Sequence, residues 1–413
     1  MGGALRIGAW RFVATFGVVS LLADIVYEGA RSVTGPILAM FGATAIVVGV
    51  VTGIGEAAAL LLRLVSGPLA DRTRRFWAWA IAGYAITVIA VPTLGFAGTL
   101  GAAAVLIILE RVGKAVRSPA KDALLSFATA QTGRGKGFAV HEAIDQFGAV
   151  LGPLLVAGML ALTGVQYGPS LAVLAVPGIA TLGLLFWLRS RARQPELFES
   201  GTHRQTPAIA VDARSTRIRL PRAFWIYAGF SAATITGFAT FGLISFHMVQ
   251  RGILAPAVIP LVYAAVMLVD ALAALGTGWI YDRIGPHILL VLPILCALIP
   301  ALAFADALWA VLVGALLWGA ALGIQESTLR ASIADLIPRS HRATAYGVYG
   351  AVLGVAAAMG GALAGLLYSE SLTALVVVTA TIQVAAFVFF AVFLARRKRK
   401  AAPDESAVER DKR

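Results

Sequence analysis

Twelve apolar runs alternate with polar segments along the chain. They fall at residues 12–39, 45–70, 77–99, 101–118, 137–162, 170–188, 222–247, 256–280, 287–304, 307–329, 343–368 and 371–395. A helix needs about 20 such residues to cross the hydrocarbon core of a bilayer. The runs are therefore read as spans 1 to 12. One stretch breaks the rhythm. Residues 189–221 are polar and basic, with six runs before them and six after. The pattern predicts an all-α membrane protein with two pseudo-symmetric six-helix bundles. Residues 1–188 form the first bundle and 222–395 the second. Residues 189–221 form a cytoplasmic linker, with a short surface helix, and 396–413 a basic and polar cytoplasmic tail.

Composition agrees. The chain is 59% hydrophobic and 13% charged, and its mean hydropathy is +0.84. Soluble domains carry roughly 25% charged residues. That excludes a water-soluble enzyme, a disordered chain and a disulfide scaffold. Cys296 is the single cysteine, so no intrachain disulfide can form. The net charge of +13 is topological. Of 34 Lys and Arg, only Arg251 falls in an odd-numbered loop. Such a bias sets orientation, and it places both termini in the cytoplasm. The basic excess is not a nucleic-acid signal. The run Arg396–Lys400 reads as a stop-transfer anchor that also meets anionic membrane lipids. Span 1 contains Asp24 and Glu28, and no cleavage pattern follows it. It is expected to be a retained helix.

The loops repeat. Gly67-Pro-Leu-Ala-Asp71-Arg72 follows span 2, and Gly278-Trp-Ile-Tyr-Asp282-Arg283 follows span 8. Arg117-Ser-Pro-Ala-Lys-Asp122 at span 4 is echoed by Arg330-Ala-Ser-Ile-Ala-Asp335 at span 10. The string GAVLG occurs at 148–152 and 350–354. Parallel repeats of six spans imply a pseudo-two-fold axis along the membrane normal.

These residues resemble the signatures of the major facilitator superfamily. The resemblance rests on the two Gly-x-x-x-Asp-Arg loops, on Arg111 followed by Gly113, and on Gly148-x-x-x-Gly152-Pro153. It covers residues 12 to 395. It implies the fold of that superfamily and a monomeric secondary transporter, neither an enzyme nor dependent on a cofactor. Such a protein moves a small molecule across the cytoplasmic membrane by alternating access. The resemblance also implies that Asp71, Arg72, Asp282 and Arg283 hold a cytoplasmic gate, and that Arg111 takes part in proton coupling. The span 5 motif is a helix-packing motif similar to the antiporter signature and implies efflux. The Gly-Gly pair that follows it in the family is Val156-Ala157 here.

Charges inside a membrane are costly and face a partner, a cavity or a proton path. Span 1 carries Asp24, Glu28 and Arg31 on one helix face. Span 4 carries Glu110, Lys114 and Arg117 on one face, with Arg111 beside it. The two faces are expected to meet. Pro119 frees a carbonyl and is expected to kink span 4 near its end, and Arg117 is expected to snorkel to the cytoplasmic surface. Span 5 carries His141, Glu142 and Asp145, which suits a proton relay or pairing with the span 4 cations. The spacing is not that of a zinc motif, so no metal is expected. Glu56 and Arg63 in span 2 read as structural, and Tyr27 as packing. The second half offers Asp270 and Glu326. Coupling to protons is therefore expected in the first half, and a milder substrate surface in the second. Three functions stay open at this level: proton-coupled efflux, proton-coupled uptake or exchange of a small organic anion, and a non-transporting receptor on the same scaffold.

Overall fold

The computed structural model describes residues 7–200, 220–329 and 342–401. The Arg330–Asp335 echo, most of the linker and the tail beyond 401 lie outside the described residues. The described chain is helical, without strands. Span 1 is Ala9–Ser32, prolonged by Thr34–Met40 after a break at Val33. Span 2 is Ala45–Leu61 and Arg63–Thr73, and span 3 is Phe76–Leu94. Spans 4 and 5 are Leu100–Thr132 and Arg134–Thr163. Span 6 is Tyr167–Ala172 with Ala175–Arg191. Span 7 is Arg222–Thr236 with Phe241–Gln250. Spans 8 and 9 are Ile259–Ile284 and Val291–Ala303. Span 10 is Leu308–Ile324, and spans 11 and 12 are Arg342–Glu370 and Leu372–Ala401.

Length and hydropathy alone mark ten stretches as membrane spans. The difference from twelve has two physical causes. The stretch Ile259–Ala303 counts once there, yet Gly285, at φ 63°, ends one helix and a 3-10 turn leads into the next. Span 4 is absent from the ten. It carries Glu110, Arg111, Lys114 and Arg117 within two turns, too many charges for a test of composition.

Span 4 does not break at Pro119; one helix runs through it. A proline there leaves the carbonyl four residues earlier without its N–H. That carbonyl belongs to Ala115, and it accepts a hydrogen bond from Ser66 Oγ on span 2 at 2.7 Å. The freed group is satisfied from outside, so the helix has no reason to open.

Spans 1, 2 and 5 meet spans 7, 8 and 11 across the two bundles. Among the described residues, spans 3, 6, 9 and 12, the runs poorest in charge, find their main packing partners within their own bundle. The linker begins with a short helix, Leu197–Ser200. It is docked rather than surface-lying: Phe198 is buried against Phe12 at 5.3 Å between ring centroids.

Candidate functional site: a buried charge ladder beside a central cavity

Glycine brings the two bundles together along one seam. A Cβ on Gly49 would strike the backbone oxygen of Gly361, and a Cβ on Gly365 that of Ala45. Gly35 stands in the same way against Gly242. Thr52 and Thr240 exchange a hydrogen bond across the seam at 2.8 Å. All of these lie toward the end of the molecule that carries Thr34–Met40. Spans 1 and 5 are joined by the same device: side chains at Gly148 and Gly152 would meet the carbonyls of Leu21 and Ile25.

Below the seam lies a cavity of about 510 Å³. Arg31, Glu56, Arg63 and Asp122 line it from the first bundle, and Phe238, Trp318, Gln325, Glu326, Tyr346 and Tyr349 from the second. Span 10 changes from α to π geometry at Gln325–Leu329. Such bulges recur at functional sites, and this one turns Gln325 and Glu326 onto the cavity wall. Gln325 is 8% exposed, and its Nε2 has no partner among the described residues.

Behind the cavity the charges form a ladder. Glu110 Oε2 lies 3.4 Å from Arg111 Nε. Arg111 Nη2 lies 3.6 Å from Glu56 Oε1, and the same oxygen accepts from Arg31 Nη2 at 3.0 Å. Arg31 Nη1 is 3.6 Å from Glu28 Oε1. Glu28 Oε2 accepts the hydroxyl of Tyr263, on span 8, at 2.6 Å. The ladder thus runs from span 4 through spans 2 and 1 into the other bundle. Alternating signs let each buried charge offset its neighbour's desolvation.

The expected meeting of spans 1 and 4 occurs, but its centre is Tyr27. Arg111 donates to the Tyr27 hydroxyl. Lys114 Nζ sits 4.0 Å from the centre of the Tyr27 ring, and the Arg117 guanidinium 6.0 Å from it. Cations over an aromatic face are attracted by its quadrupole. Arg117 does not snorkel. It is buried, donates to Thr87 on span 3 at 2.9 Å and lies over the Tyr84 ring. Arg31 lies between two rings, 5.9 Å from the centre of Tyr27 and 5.8 Å from that of Trp318, with Glu56 at 3.0 Å.

A second cluster lies one to two turns nearer the N-terminal end of span 1. Asp24 interacts electrostatically with Lys114 and with Asp145. Asp145 Oδ2 faces Lys121 at 3.9 Å. His141 Nε2 is hydrogen-bonded to Ser20 at 2.8 Å. His141, Glu142 and Asp145 bring ligand atoms within 4.8 Å of one another, but His141 and Asp145 are already engaged by Ser20 and Lys121. Among the described residues, buried oxygens of Glu110, Asp145 and Asp270 find no hydrogen-bond partner. Asp71 and Arg72 lie in the last turn of span 2, and Asp282 and Arg283 in the last turn of span 8, so they are helical rather than loop residues; all four are exposed. Neither aspartate makes an ion pair with another described residue, and Arg283 lies 3.3 Å above the Trp279 ring.

Residue spacing singles out Glu56 and Tyr27 without their partners, and misses Tyr263. Glu56 bridges two arginines from other helices. Tyr27 and Tyr263 carry hydroxyls to charged groups. The available signal for Glu56 is an acid deep in a span with no basic residue one turn away. Arg63 is two turns off, about 10 Å along a helix.

A family model described as Major Facilitator Superfamily matches residues 20–305 and 253–412. An uncharacterized protein of Mycobacterium tuberculosis is 59% identical over 398 residues, covering 95% of this chain and 96% of its own. Among solved structures, the fold is similar to that of the nucleoside transporter NupG, with TM-score 0.68, 15% identity, and 93% and 99% of the two chains covered. A POT family transporter in complex with 5-aminolevulinic acid gives TM-score 0.71 at 13% identity, over 95% and 97%.

Proposed function

We propose that this chain, which belongs to the major facilitator superfamily, is a proton-coupled secondary transporter that exports a small molecule by alternating access. The observation that carries the reading is the ladder from Glu110 to Tyr263, because it links buried carboxylates of one bundle to a hydroxyl of the other. A proton shifts a two-state equilibrium only if it binds the states unequally. Glu28 meets that condition by geometry: Tyr263 approaches it from the bundle that must move. Protonating Glu28 weakens its hold on Arg31 and on the Tyr263 hydroxyl, and the bundles can then separate. Glu110, Asp145 and Asp270, each with an unpartnered oxygen, are further places where a proton can reside. Asp24, Glu142 and His141 belong to the same relay.

The remaining assignments follow from that reading. Residues 1–188 and 222–395 are the two moving bundles, joined by the linker 189–221, and the monomer is the working unit. Both termini face the cytoplasm, in the cell membrane. The glycine seam then seals the outer side, and the cavity faces inward. Asp71, Arg72, Asp282 and Arg283 close the cytoplasmic side in the opposite state. Export rests on the resemblance of the Gly148–Pro153 segment to the antiporter signature. A second reading, uptake or exchange of a small organic anion, is favoured by Arg31 and Arg63 on the cavity wall.

Purified protein in liposomes, given a panel of organic cations, anions and neutral solutes, tests both. Proton coupling predicts accumulation of at least one solute that collapses when the pH gradient is dissipated. Accumulation indifferent to the gradient overturns it. Anion selectivity with exchange in both directions replaces the first reading by the second.

A further inference from the structure

Separate from the cavity, a pocket of about 830 Å³ opens on the first bundle. It lies where span 3 begins and span 6 ends, and Arg74, Arg75, Arg189 and Arg193 line it beside Trp77 and Phe186. The four arginines are exposed, and none makes an ion pair with another described residue. Glu196 is the one acid on the wall.

The chain is built to hold these cations together. Arg74 takes a left-handed turn, φ 54°, which ends span 2 and starts span 3 almost at once. Trp77 Nε1 donates to the carbonyl of Ala192 at 3.1 Å. That bond pins the segment after span 6 against span 3, so Arg189 and Arg193 stay beside Arg74 and Arg75. Like charges so placed repel one another unless an anion sits among them. The first turn of span 3 adds unpaired N–H groups and the positive end of a helix dipole. Arginine forks match phosphate oxygens two at a time.

The walls beyond the bowl are apolar and face outward. On span 6, Val176, Ile179 and Phe186 share one face and are 68%, 67% and 53% exposed. On span 3, Ala78 and Ala82 share the exposed face one turn apart. Ala78 and Phe186 line the bowl itself, and the small side chain of Ala82 one turn on gives an acyl chain room to continue as a furrow along the exposed apolar face. A phosphate-binding bowl that continues into an apolar furrow fits one molecule: a phospholipid with its headgroup in the bowl and an acyl chain along the furrow.

We propose that this pocket binds an anionic phospholipid of the inner leaflet. A phosphatidylcholine headgroup brings its own cation and is disfavoured by the surplus positive charge, whereas phosphatidylglycerol is not. The site lies apart from the transport cavity and does not depend on the coupling reading.

Native mass spectrometry of the full chain, released from detergent with titrated lipid, tests it. One phosphatidylglycerol molecule should stay bound at collision energies that strip phosphatidylcholine. Arg189→Gln with Arg193→Gln should cut that occupancy at least tenfold. Arg396→Gln with Arg397→Gln, in the tail, should leave it unchanged. Millimolar glycerol 3-phosphate and inorganic phosphate should not displace the lipid. Should the arginine variant fail to fold, Ala82→Trp decides, since it fills the furrow and keeps all four arginines. It should weaken lipid retention by a similar factor. Equal retention of the two lipids, loss only in the tail variant, an Ala82→Trp chain that binds as the wild type, or displacement by free phosphate each overturns the proposal.

Discussion

The two bundles bury polar groups by opposite means. The first uses ions: Glu28, Arg31, Glu56, Glu110, Arg111 and Arg117 meet on spans 1, 2 and 4. The second relies mainly on neutral hydrogen bonds, with Asp270 its one buried carboxylate among the described residues. Trp318 Nε1 donates to the carbonyl of Ala239 at 2.6 Å, and Tyr349 donates to Ser231 Oγ at 2.9 Å. His247 is held between Tyr368 and the carbonyl of Ala305 at 2.8 and 3.1 Å. A neutral hydrogen bond fixes a shape but has one charge state. An ion ladder has several, and each redistributes force over the helices it joins. On the proposed function, most of the switching then falls to the first bundle, and Asp270 is the place where the second can join it.

The strongest way to break that contrast is at Glu56, the shared rung. Glu56→Gln leaves Arg31 and Arg111 without their common carboxylate. Removing one partner of a buried ion pair costs about 3–5 kcal/mol, and partial exposure of Glu56 puts this case at the low end. Transport should fall to background, and the thermal midpoint should drop by several degrees. Adding Arg111→Gln should not restore the midpoint, because Glu110 then loses its arginine as well. Tyr349→Phe, its counterpart in the second bundle, should cost only about 1 kcal/mol. Equal shifts for Glu56→Gln and Tyr349→Phe would erase the distinction.

Next comes the rung that crosses between bundles. Glu28→Gln should abolish accumulation driven by a pH gradient and spare counterflow, in which substrate is present on both sides. Tyr263→Phe should weaken driven accumulation in the same direction but less. The amides of Asp24, Glu142 and Asp145 provide the comparison. If all four amide variants still accumulate substrate in response to pH, coupling lies elsewhere.

A smaller effect is expected at the seam, where both bundles contribute glycine. Gly361→Leu should hold the outer side open, since a side chain there collides with the backbone of Gly49 and Gly53. Cys296 is buried, so a new cysteine at Thr52 reports alone. Its labelling by a membrane-impermeant maleimide should rise several-fold when Gly361→Leu is added. Unchanged labelling would mean that the seam is not an outer gate.

The same contrast explains what the amino-acid sequence discloses. The helical class and the number of spans depend on local runs of apolar residues and are legible along the chain. So is the crowding of charge in the first half. The partners are not legible, because they join helices far apart in sequence. Ser66 rescues the carbonyl that Pro119 frees, and nothing near Pro119 announces it. Arg117 lies where a side chain can reach water, yet Thr87 and Tyr84 hold it inside. Glu56 reads as structural along the chain because its only basic neighbour on its own helix is two turns away.

The smallest effect tests whether the repeated helix ends are equivalent. Asp71 and Asp282 occupy matching positions, both exposed. Their arginines differ. Arg283 is already laid over Trp279 at 3.3 Å, while Arg72 has no such aromatic partner among the described residues. On the proposed gate, the end of span 2 is thus freer to find new contacts. Asp71→Asn should slow transport several-fold, and Asp282→Asn should slow it less. Neither should move the thermal midpoint, because exposed charges of this kind contribute little to stability. Initial rates in liposomes, measured beside melting curves for both variants, decide the matter. Wild-type rates for Asp71→Asn in both directions would remove that helix end from the gate. Equal slowing by the two variants would show that the stacked arginine releases its ring during closure, and that the asymmetry between the bundles stops at the membrane surface.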